Sequence, residues 1–246
     1  MDAKELLLRN TGKLKPFLHM YNTVAGRNRL RAGTNNTLDI GSSYLKGVKL
    51  DIRGRNNTII IGDLCILKNC TIRIIGNHNV LYISDRVSAN QTEFYMEDDR
   101  NEIRIGYHTS IEGRTHLAAL EATKIQIGEE CMFASEIHFR TGDSHSIVDL
   151  QGRRFNFSKD IIIGRHVWIG YRVICLKGTK VPDNCVVGAA SLLNKEYTSS
   201  NSIIAGHPAR VLRNDINWLR ERIGENCISV AEPDFWMSEE QIAEQM

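Results

Sequence analysis

The chain has 246 residues, which is room for one large domain or two small ones with a well-formed hydrophobic core. Its 31 Lys and Arg nearly balance its 29 Asp and Glu, and the resulting net charge of +2 argues against a dedicated nucleic-acid-binding surface. No apolar run approaches the roughly 18 residues that cross a bilayer, three leucines near the start are too few for a secretory signal, and six cysteines are too few for a disulfide scaffold. We therefore expect a cytoplasmic protein without a transmembrane segment.

An internal repeat begins after about residue 30. Residues 1–30 mix Leu with Lys and Arg around Pro16, and this non-repetitive segment is expected to include a short helix. From residue 33 onward, five blocks each combine a turn, in most cases rich in Gly and Asn, with a short alternating strand. The blocks close at Gly41, Gly62, Ser84, Gly106 and Gly128, so the pattern recurs at a nearly constant interval along the chain. A fixed period of this kind indicates a repeat architecture.

The period shortens to six residues further along the chain. A helix spaces its apolar groups by 3.6 residues and a flat strand by 2, so a period of six indicates a short strand followed by a corner. Three such sides make one coil, and the longer steps of the first blocks add a few residues at one enlarged corner. The pattern predicts an all-β solenoid of stacked parallel strands about 4.8 Å apart. Its interior positions are Ile163, Ile169, Cys175, Val181, Val187 and Leu193, each followed four positions later by a small or β-branched residue, except for Tyr197.

Two segments depart from this repeat. Residues 139–160 lack the six-residue period, and we predict that they form a protruding loop. The repeat stops at Arg213, so the solenoid domain is expected to span residues 31–213. In the C-terminal segment, residues 214–246, we predict a helix over 215–222, and we predict that residues 232–246 end in a short acidic helix after Pro233.

Three segments in a fixed order resemble the hexapeptide-repeat acyltransferases: IIIGRHVWIG (161–170), VVGAASLLNK (186–195) and IIAGHPARVLR (203–213). Together with RTGDSHSIVD (140–149), they make the chain most similar to the bacterial capsule and surface-polysaccharide O-acetyltransferases. The resemblance implies a left-handed parallel β-helix, acetyl-CoA as acyl donor, no metal, and a homotrimer with active sites between its subunits.

His145 is the candidate catalytic base. It lies in the predicted loop, and a loop held by a rigid scaffold is a common place for catalytic groups. An ordinary imidazole suits proton abstraction from a hydroxyl near neutral pH. Residue spacing alone leaves a solvated loop histidine open, whereas the resemblance implies a general base. Asp143 is a candidate to orient the imidazole or to cap the turn, and Glu136 and His138 precede the loop as candidates to line the site.

Trp168 follows the interior residue Val167 and is therefore expected to point outward. An exposed indole commonly covers a ligand or a partner subunit, and its position alone leaves both roles open. In the surface-polysaccharide O-acetyltransferases the matching Trp belongs to the active site, so the resemblance implies a wall of the acyl and acceptor pocket.

The last coils are expected to hold coenzyme A. Gly170 and Gly188 expose backbone beside Tyr171 and Ala189, and cations follow at the end of the repeat. Carried over position by position, the resemblance implies coenzyme A contacts at Tyr171, Ala189, Asn194, Lys195, Arg210 and Arg213. Tyr171 and Asn194 depart from the small polar residue and the Thr that are common at those positions. A backbone N–H near Gly170 is expected to stabilise the oxyanion.

The sequence therefore predicts an acetyl-CoA-dependent O-acetyltransferase that modifies a sugar hydroxyl of a capsule or O-antigen polysaccharide, or of its precursor. An N-acetyltransferase of an amino-sugar nucleotide and a non-catalytic solenoid that binds partners remain alternatives. A γ-type carbonic anhydrase shares this solenoid but needs three histidines that converge on zinc, and no third partner for His138 and His145 is evident. Cysteine nucleophiles are disfavoured because the repeat places most cysteines in interior positions.

Overall fold

The computed structural model describes residues 11–224, in which one helix precedes a stack of short strands. The helix is α1 (Thr11–Val24). The strands are, in chain order, β1 (Thr37–Ile40), β2 (Tyr44–Lys46), β3 (Lys49–Arg53), β4 (Thr58–Ile61), β5 (Ile66–Lys68), β6 (Thr71–Ile75), β7 (Val80–Ile83), β8 (Ser88–Asn90), β9 (Glu93–Glu97), β10 (Glu102–Ile105), β11 (Ser110–Ile111), β12 (His116–Leu120), β13 (Lys124–Ile127), β14 (Met132–Phe133), β15 (His138–Arg140), β16 (Ile161–Ile163), β17 (Trp168–Ile169), β18 (Ile174–Leu176), β19 (Lys180–Val181), β20 (Val186–Val187), β21 (Leu192–Leu193), β22 (Ile203–Gly206) and β23 (Ala209–Arg213).

From β1 to β21, every third strand belongs to the same sheet, so the chain winds around a prism with three sides. The first sheet runs from β1 through β4 to β19, the second from β2 through β5 to β20, and the third from β3 through β6 to β21. We number the coils 1 (β1–β3) to 7 (β19–β21). The strands pair in parallel except for the terminal hairpin β22–β23, which extends the second sheet. The predicted left-handed parallel β-helix is confirmed.

The interior follows the six-residue period. Ile163, Ile169, Cys175, Val187 and Leu193 are all buried, as the pattern predicts. In register, each packs above its counterpart in the neighbouring coil, so most of the stability comes from contacts between adjacent coils. The small interior positions are filled by buried Cys65, Thr109, Cys131, Val167, Val173, Thr179, Cys185 and Ser191.

An asparagine ladder supports the enlarged corner between the third and first sheets. The side chains of Asn57, Asn79 and Asn101 are buried and each donates from Nδ2 to Oδ1 of the preceding asparagine, beginning with Asn36, over 3.0–3.1 Å. The ladder ends where Asn101 Oδ1 accepts the Thr123 N–H. The extra residues of the long coils are thus built around a continuous polar column.

The ends of the solenoid are covered differently. At the N-terminal end, α1 confirms the short helix predicted for this segment, and its Asn22 side chain bonds the backbone of Ser43 and Leu45 in coil 1. At the other end, the helix predicted over 215–222 is wrong, because this stretch is irregular and holds Trp218 and Arg220, two residues apart, against the solenoid. The short acidic helix predicted after Pro233 lies outside the described residues.

Candidate active site

The loop that carries His145 connects β15 to β16 and spans residues 141–160. It leaves the solenoid at the corner that holds the asparagine ladder in the earlier coils. There the Thr123 hydroxyl donates to Thr141 Oγ1 at 2.6 Å, and the Lys124 N–H donates to Asp160 Oδ1 at 2.9 Å. Both ends of the loop are therefore fastened to the same turn.

A buried asparagine organises the tip of the loop. Asn156 is only 6% exposed, and its Nδ2 donates to the His145 carbonyl oxygen and to Asp143 Oδ2, both at 2.8 Å. Its Oδ1 accepts from the Ile147 N–H at 2.7 Å and from Arg154 Nε at 3.1 Å. The backbone on both sides of the imidazole is fixed by this one side chain.

Asp143 is paired with Lys177 rather than with the imidazole. Lys177, which follows β18, donates from Nζ to Asp143 Oδ2 and to the Asn156 carbonyl oxygen, the latter at 3.0 Å. The hydrogen bond from Lys177 is the main cause that lowers the pKa of Asp143 below its ordinary value. The Asp143 carboxylate therefore stays ionised, and its link to His145 is indirect, through the Asn156 side chain that bonds both residues. The proposal that Asp143 orients the imidazole stays a prediction.

A second anchor ties the loop to the preceding turn. Glu121 accepts from Arg154 at 2.6 Å and from the hydroxyl of Ser158 at 2.7 Å. These two hydrogen bonds, Arg154 first, lower the pKa of Glu121 to about 2. Arg140 at the end of β15 donates to Ser144 Oγ at 2.5 Å. The loop is a folded unit held by ion pairs.

The His145 side chain is exposed, and no group among residues 11–224 hydrogen-bonds to its imidazole. Its backbone is held by Asn156, whereas its ring nitrogens face solvent. This arrangement leaves the imidazole able to accept a proton from a bound hydroxyl.

Trp168 begins β17 on the outside of the second sheet, where the repeat predicts it. It is 38% exposed, and its ring centroid lies 6.0 Å from that of Trp218. Trp218 is only 5% exposed, stacks on His166 with ring centroids 4.1 Å apart, and donates from Nε1 to the His166 carbonyl oxygen at 2.9 Å. One side of Trp168 is thus packed and the other is open.

Residues 214–224, which we call the C-terminal strap, return across the second sheet. Two positions after Trp218, the Arg220 guanidinium donates to Ser110 Oγ at 2.9 Å and to the Cys131 carbonyl oxygen at 2.8 Å. It also reaches the carbonyl oxygens of His108 and Glu130. The strap therefore spans coils 4 to 6. Sequence reasoning missed it because the segment carries no repeat.

The predicted coenzyme A positions on the last coils share the corner between the second and third sheets. Gly170 and Tyr171 lie there in coil 6, and Gly188 and Ala189 in coil 7. A side chain at Gly170 would place its Cβ 2.8 Å from the Ala189 nitrogen, so this close approach requires glycine. The Gly170 N–H donates to the Val187 carbonyl oxygen at 2.8 Å and is not available to an oxyanion.

Glu136 holds Tyr171 in place. Its Oε2 accepts from Tyr171 Oη at 3.0 Å and from Arg172 Nε at 2.7 Å, and its Oε1 lies 3.2 Å from Arg114. The hydrogen bond from Arg172 is the main cause that lowers the pKa of Glu136. His138 lies on the third sheet with its side chain exposed. Sequence reasoning named Tyr171 and Glu136 but not the two arginines that join them.

The predicted cations lie at the C-terminal end of the stack. Asn194 and Lys195 follow β21 and are exposed, and Lys195 Nζ lies 5.6 Å from the centroid of the Tyr197 ring. Arg210 and Arg213 are exposed on β23, where they pair in register with Ala205 and Ile203. They share the end of the prism with Gly188 and Ala189.

The described cysteines are buried and protected. Burial raises the pKa of Cys65 and of Cys70 to about 11 and that of Cys131 to about 12, and it also raises the pKa of Cys175. A thiol of this kind is a poor nucleophile. Cys227 lies outside the described residues.

Two further features are absent from residues 11–224. They hold no group of three or more His, Cys, Asp and Glu side chains placed to bind a metal ion. The helix in this part of the chain is too short and too polar to cross a bilayer.

The candidate residues fall into two groups within one chain. His145 and Asp143 lie on the loop beside the third sheet, whereas Trp168 lies on the second sheet. In the part of the chain that the structure describes, no hydrogen bond or ring contact joins the two groups. Within one chain the imidazole and the indole therefore make no direct contact.

No protein-family model matches the chain. A polysialic acid O-acetyltransferase of Neisseria meningitidis is 36% identical to it over 191 residues, which cover 77% of this chain and 88% of that protein. The solved structure of the polysialic acid O-acetyltransferase OatWY matches with a TM-score of 0.74 at 35% identity, covering 80% of this chain and 92% of that one. The structure of the polySia-specific acetyltransferase NeuO matches with a TM-score of 0.70 at 28% identity, covering 78% and 88%. With a relative this similar over most of its length, the chain belongs to the hexapeptide-repeat acetyltransferase family.

Proposed function

We propose that this protein transfers an acetyl group from acetyl-CoA to a sugar hydroxyl of an acidic bacterial surface polysaccharide or its precursor. The observation that carries the proposal is an exposed imidazole on an anchored loop, found in a chain that is 36% identical to a polysialic acid O-acetyltransferase over most of its length. The similar proteins support the acceptor class, because those reported above are all named for polysialic acid. The reaction takes place in the cytoplasm, where acetyl-CoA is available.

His145 acts as general base in a direct transfer. A ring nitrogen takes the proton of the acceptor hydroxyl while that oxygen attacks the thioester carbonyl carbon. The tetrahedral intermediate then collapses, the carbon–sulfur bond breaks, and the imidazolium returns the proton to the departing thiolate. The products are a sugar acetate ester and coenzyme A.

The remaining site residues bind the two substrates and hold the catalytic base in position. Asn156 and the Asp143–Lys177 pair hold the backbone of the base, and Trp168 forms a wall of the pocket. Gly170, Tyr171, Gly188 and Ala189 line the course of the pantetheine arm, and Asn194, Lys195, Arg210 and Arg213 receive the phosphates. The donor for the oxyanion is a group other than the Gly170 N–H, because that N–H is used within the sheet.

The active site is shared between subunits of a homotrimer. His145 and Trp168 lie on different sides of one chain, so a neighbouring chain is needed to bring a base to an indole. The loop is also apolar on its outside, which favours a buried interface. The exposed apolar side chains on the loop are Ile147, Val148, Leu150, Phe155 and Phe157.

A subunit-mixing experiment tests the base and the shared site together. His145→Ala homotrimers are expected to lose more than about 99% of activity, since general-base catalysis contributes on the order of 100-fold or more. Trp168→Ala homotrimers are expected to lose most of their activity because the pocket loses a wall. After dissociation and reassembly at equal amounts, about a quarter of the sites combine an intact His with an intact Trp from the neighbour, because C3 rings pair adjacent chains at random. Recovery to about a quarter of wild-type activity supports the shared site. Full activity of His145→Ala would exclude the base, and no recovery on mixing would place both residues in one subunit.

An acceptor screen tests the substrate. Acetyl transfer to polysialic acid, to a neutral polysaccharide and to a 4-amino-sugar nucleotide is compared by product mass. Transfer to the acidic polymer is the expected result. Preferential transfer to the amino group of the nucleotide would instead identify an N-acetyltransferase.

A further inference from the structure

The first coils carry a strong local excess of positive charge. Residues 25–75 contain nine Lys and Arg against three Asp and Glu, a net charge of +6, whereas the whole chain has +2. The rest of the chain is therefore acidic on balance. The even overall composition conceals a basic region at one end of the solenoid.

Five of these cations gather along one edge of the prism, where the second and third sheets meet. Lys46 and Lys68 are register partners in adjacent strands of the second sheet. Arg29 and Lys49 are bridge partners on the third sheet, and Arg27 precedes them just after the corner. Adjacent strands lie about 4.8 Å apart, so these charges are stacked closely. We call Arg27, Arg29, Lys46, Lys49 and Lys68 the basic edge.

The basic edge has no counter-charge of its own. All five side chains are exposed, and no ion pair within residues 11–224 involves any of them. In contrast, Arg53 and Arg73 on the same sheet both lie within 3.5 Å of Asp51. Like charges in register repel each other and destabilise a sheet, so a bound polyanion would relieve a cost that the free protein carries.

The same edge leads to the candidate site. Backbone hydrogen bonds follow this corner from one coil to the next, from the Gln91 N–H to the Lys68 carbonyl oxygen and later from the Arg172 N–H to the Ser135 carbonyl oxygen. Lys68 lies in coil 2 and Trp168, the proposed wall of the transfer site, lies in coil 6 of the same sheet. The two are four steps apart along the stack, or about 19 Å. Arg114 lies between them with an exposed side chain.

We propose that the basic edge is a second binding site for the acceptor, specific for a polymeric glycan that bears regularly spaced carboxylates. The inference rests on the proposed function and adds to it. While one sugar occupies the transfer site, a chain longer than about 19 Å reaches the basic edge, and a shorter oligosaccharide does not. Two linked contacts raise the local concentration of the polymer at the transfer site, so the basic edge lowers KM for long acceptors.

A pair of double variants separates this site from a general effect of charge. Lys46→Gln with Lys68→Gln removes two charges from the basic edge. Arg55→Gln with Arg100→Gln removes two exposed charges from the corner between the third and first sheets and serves as the matched control. With polysialic acid at low ionic strength, we expect the first pair to raise KM about tenfold with kcat unchanged and the second to change KM less than twofold. Trimers and dimers of sialic acid should show no difference among the proteins.

Direct binding gives a readout that does not depend on turnover. In the absence of acetyl-CoA, polysialic acid should bind the wild type and the control pair with equal affinity, and the basic-edge pair with about tenfold lower affinity. Binding to the wild type should weaken as the salt concentration rises. Equal losses in both pairs, or equal losses on short and long acceptors, would overturn the proposal. Duplex DNA that binds as tightly as polysialic acid and displaces it would also overturn it, in favour of a nucleic-acid surface. If acetyl transfer fails altogether but the binding difference is present, the proposed function falls and the polyanion site stands.

Discussion

Replacing Asn79 with Ala is expected to destabilise the solenoid strongly, because it removes the middle of the asparagine ladder. The buried side chain donates to Asn57 Oδ1 at 3.1 Å and to the Asp98 carbonyl oxygen at 3.0 Å, and it accepts from the Asn101 N–H at 2.8 Å and from Asn101 Nδ2 at 3.0 Å. Four hydrogen bonds at about 1 kcal/mol each give about 4 kcal/mol. Asn101 Nδ2 keeps its bond to the Glu97 carbonyl oxygen, which brings the expected loss to about 3 kcal/mol.

Asn90→Ala is the matched control, since Asn90 lies on the outside of β8 and no side-chain hydrogen bond within residues 11–224 involves it. Its expected cost is below about 0.5 kcal/mol. Urea denaturation followed by far-ultraviolet circular dichroism, at one fixed protein concentration, measures both. Equal, small shifts of the two midpoints would refute the claim that the ladder stabilises the corner.

Three further predictions follow from the site. Trp218→Ala should leave the fold intact and lower kcat about tenfold, because it frees one side of Trp168, whereas Trp218→Phe should retain most activity because it keeps a stacked ring. Steady-state kinetics measures kcat of both variants, and a Trp218→Ala rate equal to that of the wild type would contradict the role of the strap. Because the pKa of Glu121 is lowered in the folded protein, its contribution to stability is complete above about pH 5 and is lost as the pH falls from about 4.5 toward 2. Glu121→Gln should therefore lower the free energy of unfolding at pH 7 and leave it nearly unchanged at pH 2, as measured by denaturant titration. In a Cys227→Ser variant, the five remaining cysteines should react with a thiol reagent only after unfolding, since they are buried, and activity should survive the reagent.

The repeat could be predicted from the sequence because each interior position repeats in register. An aliphatic residue every six positions has only one way to stay inside a three-sided coil, and the buried Ile163, Ile169 and Val187 follow from that rule. The enlarged corner was equally predictable, since its Gly- and Asn-rich turns recur at a nearly constant interval. Periodicity carries this information without any knowledge of long-range contacts.

The organisation of the loop was not predictable in this way. Its position follows from the break in the period, but the hub at Asn156 and the pairing of Asp143 with Lys177 join residues up to 34 positions apart. A carboxylate two positions from a histidine suggests a direct contact between them, yet this carboxylate forms an ion pair with a lysine from the next coil. Only the folded chain shows which cation reaches it.

The C-terminal strap and the basic edge were not predicted from the sequence, for two different reasons. Residues 215–222 were predicted to be helical from local composition, whereas Trp218 and Arg220 bind surfaces that distant coils create. Local propensity is overridden by such contacts. The basic edge was hidden because net charge averages over the chain, while electrostatic attraction depends on charges that lie within about a Debye length of each other.

The coil spacing makes the distance between the basic edge and the transfer site adjustable by whole coils. Deleting residues 80–101 removes one complete long coil, and the register partners Thr58, Val80 and Glu102 show that Thr58 would then pair with Glu102. Because stability is mostly between neighbouring coils, the shortened solenoid should fold, which circular dichroism checks. The basic edge moves about 4.8 Å closer to the transfer site, so the shortest oligosaccharide whose KM responds to Lys46→Gln with Lys68→Gln should become shorter by about that length. An unchanged length threshold in a folded, active deletion variant would mean that the polymer does not run along this edge.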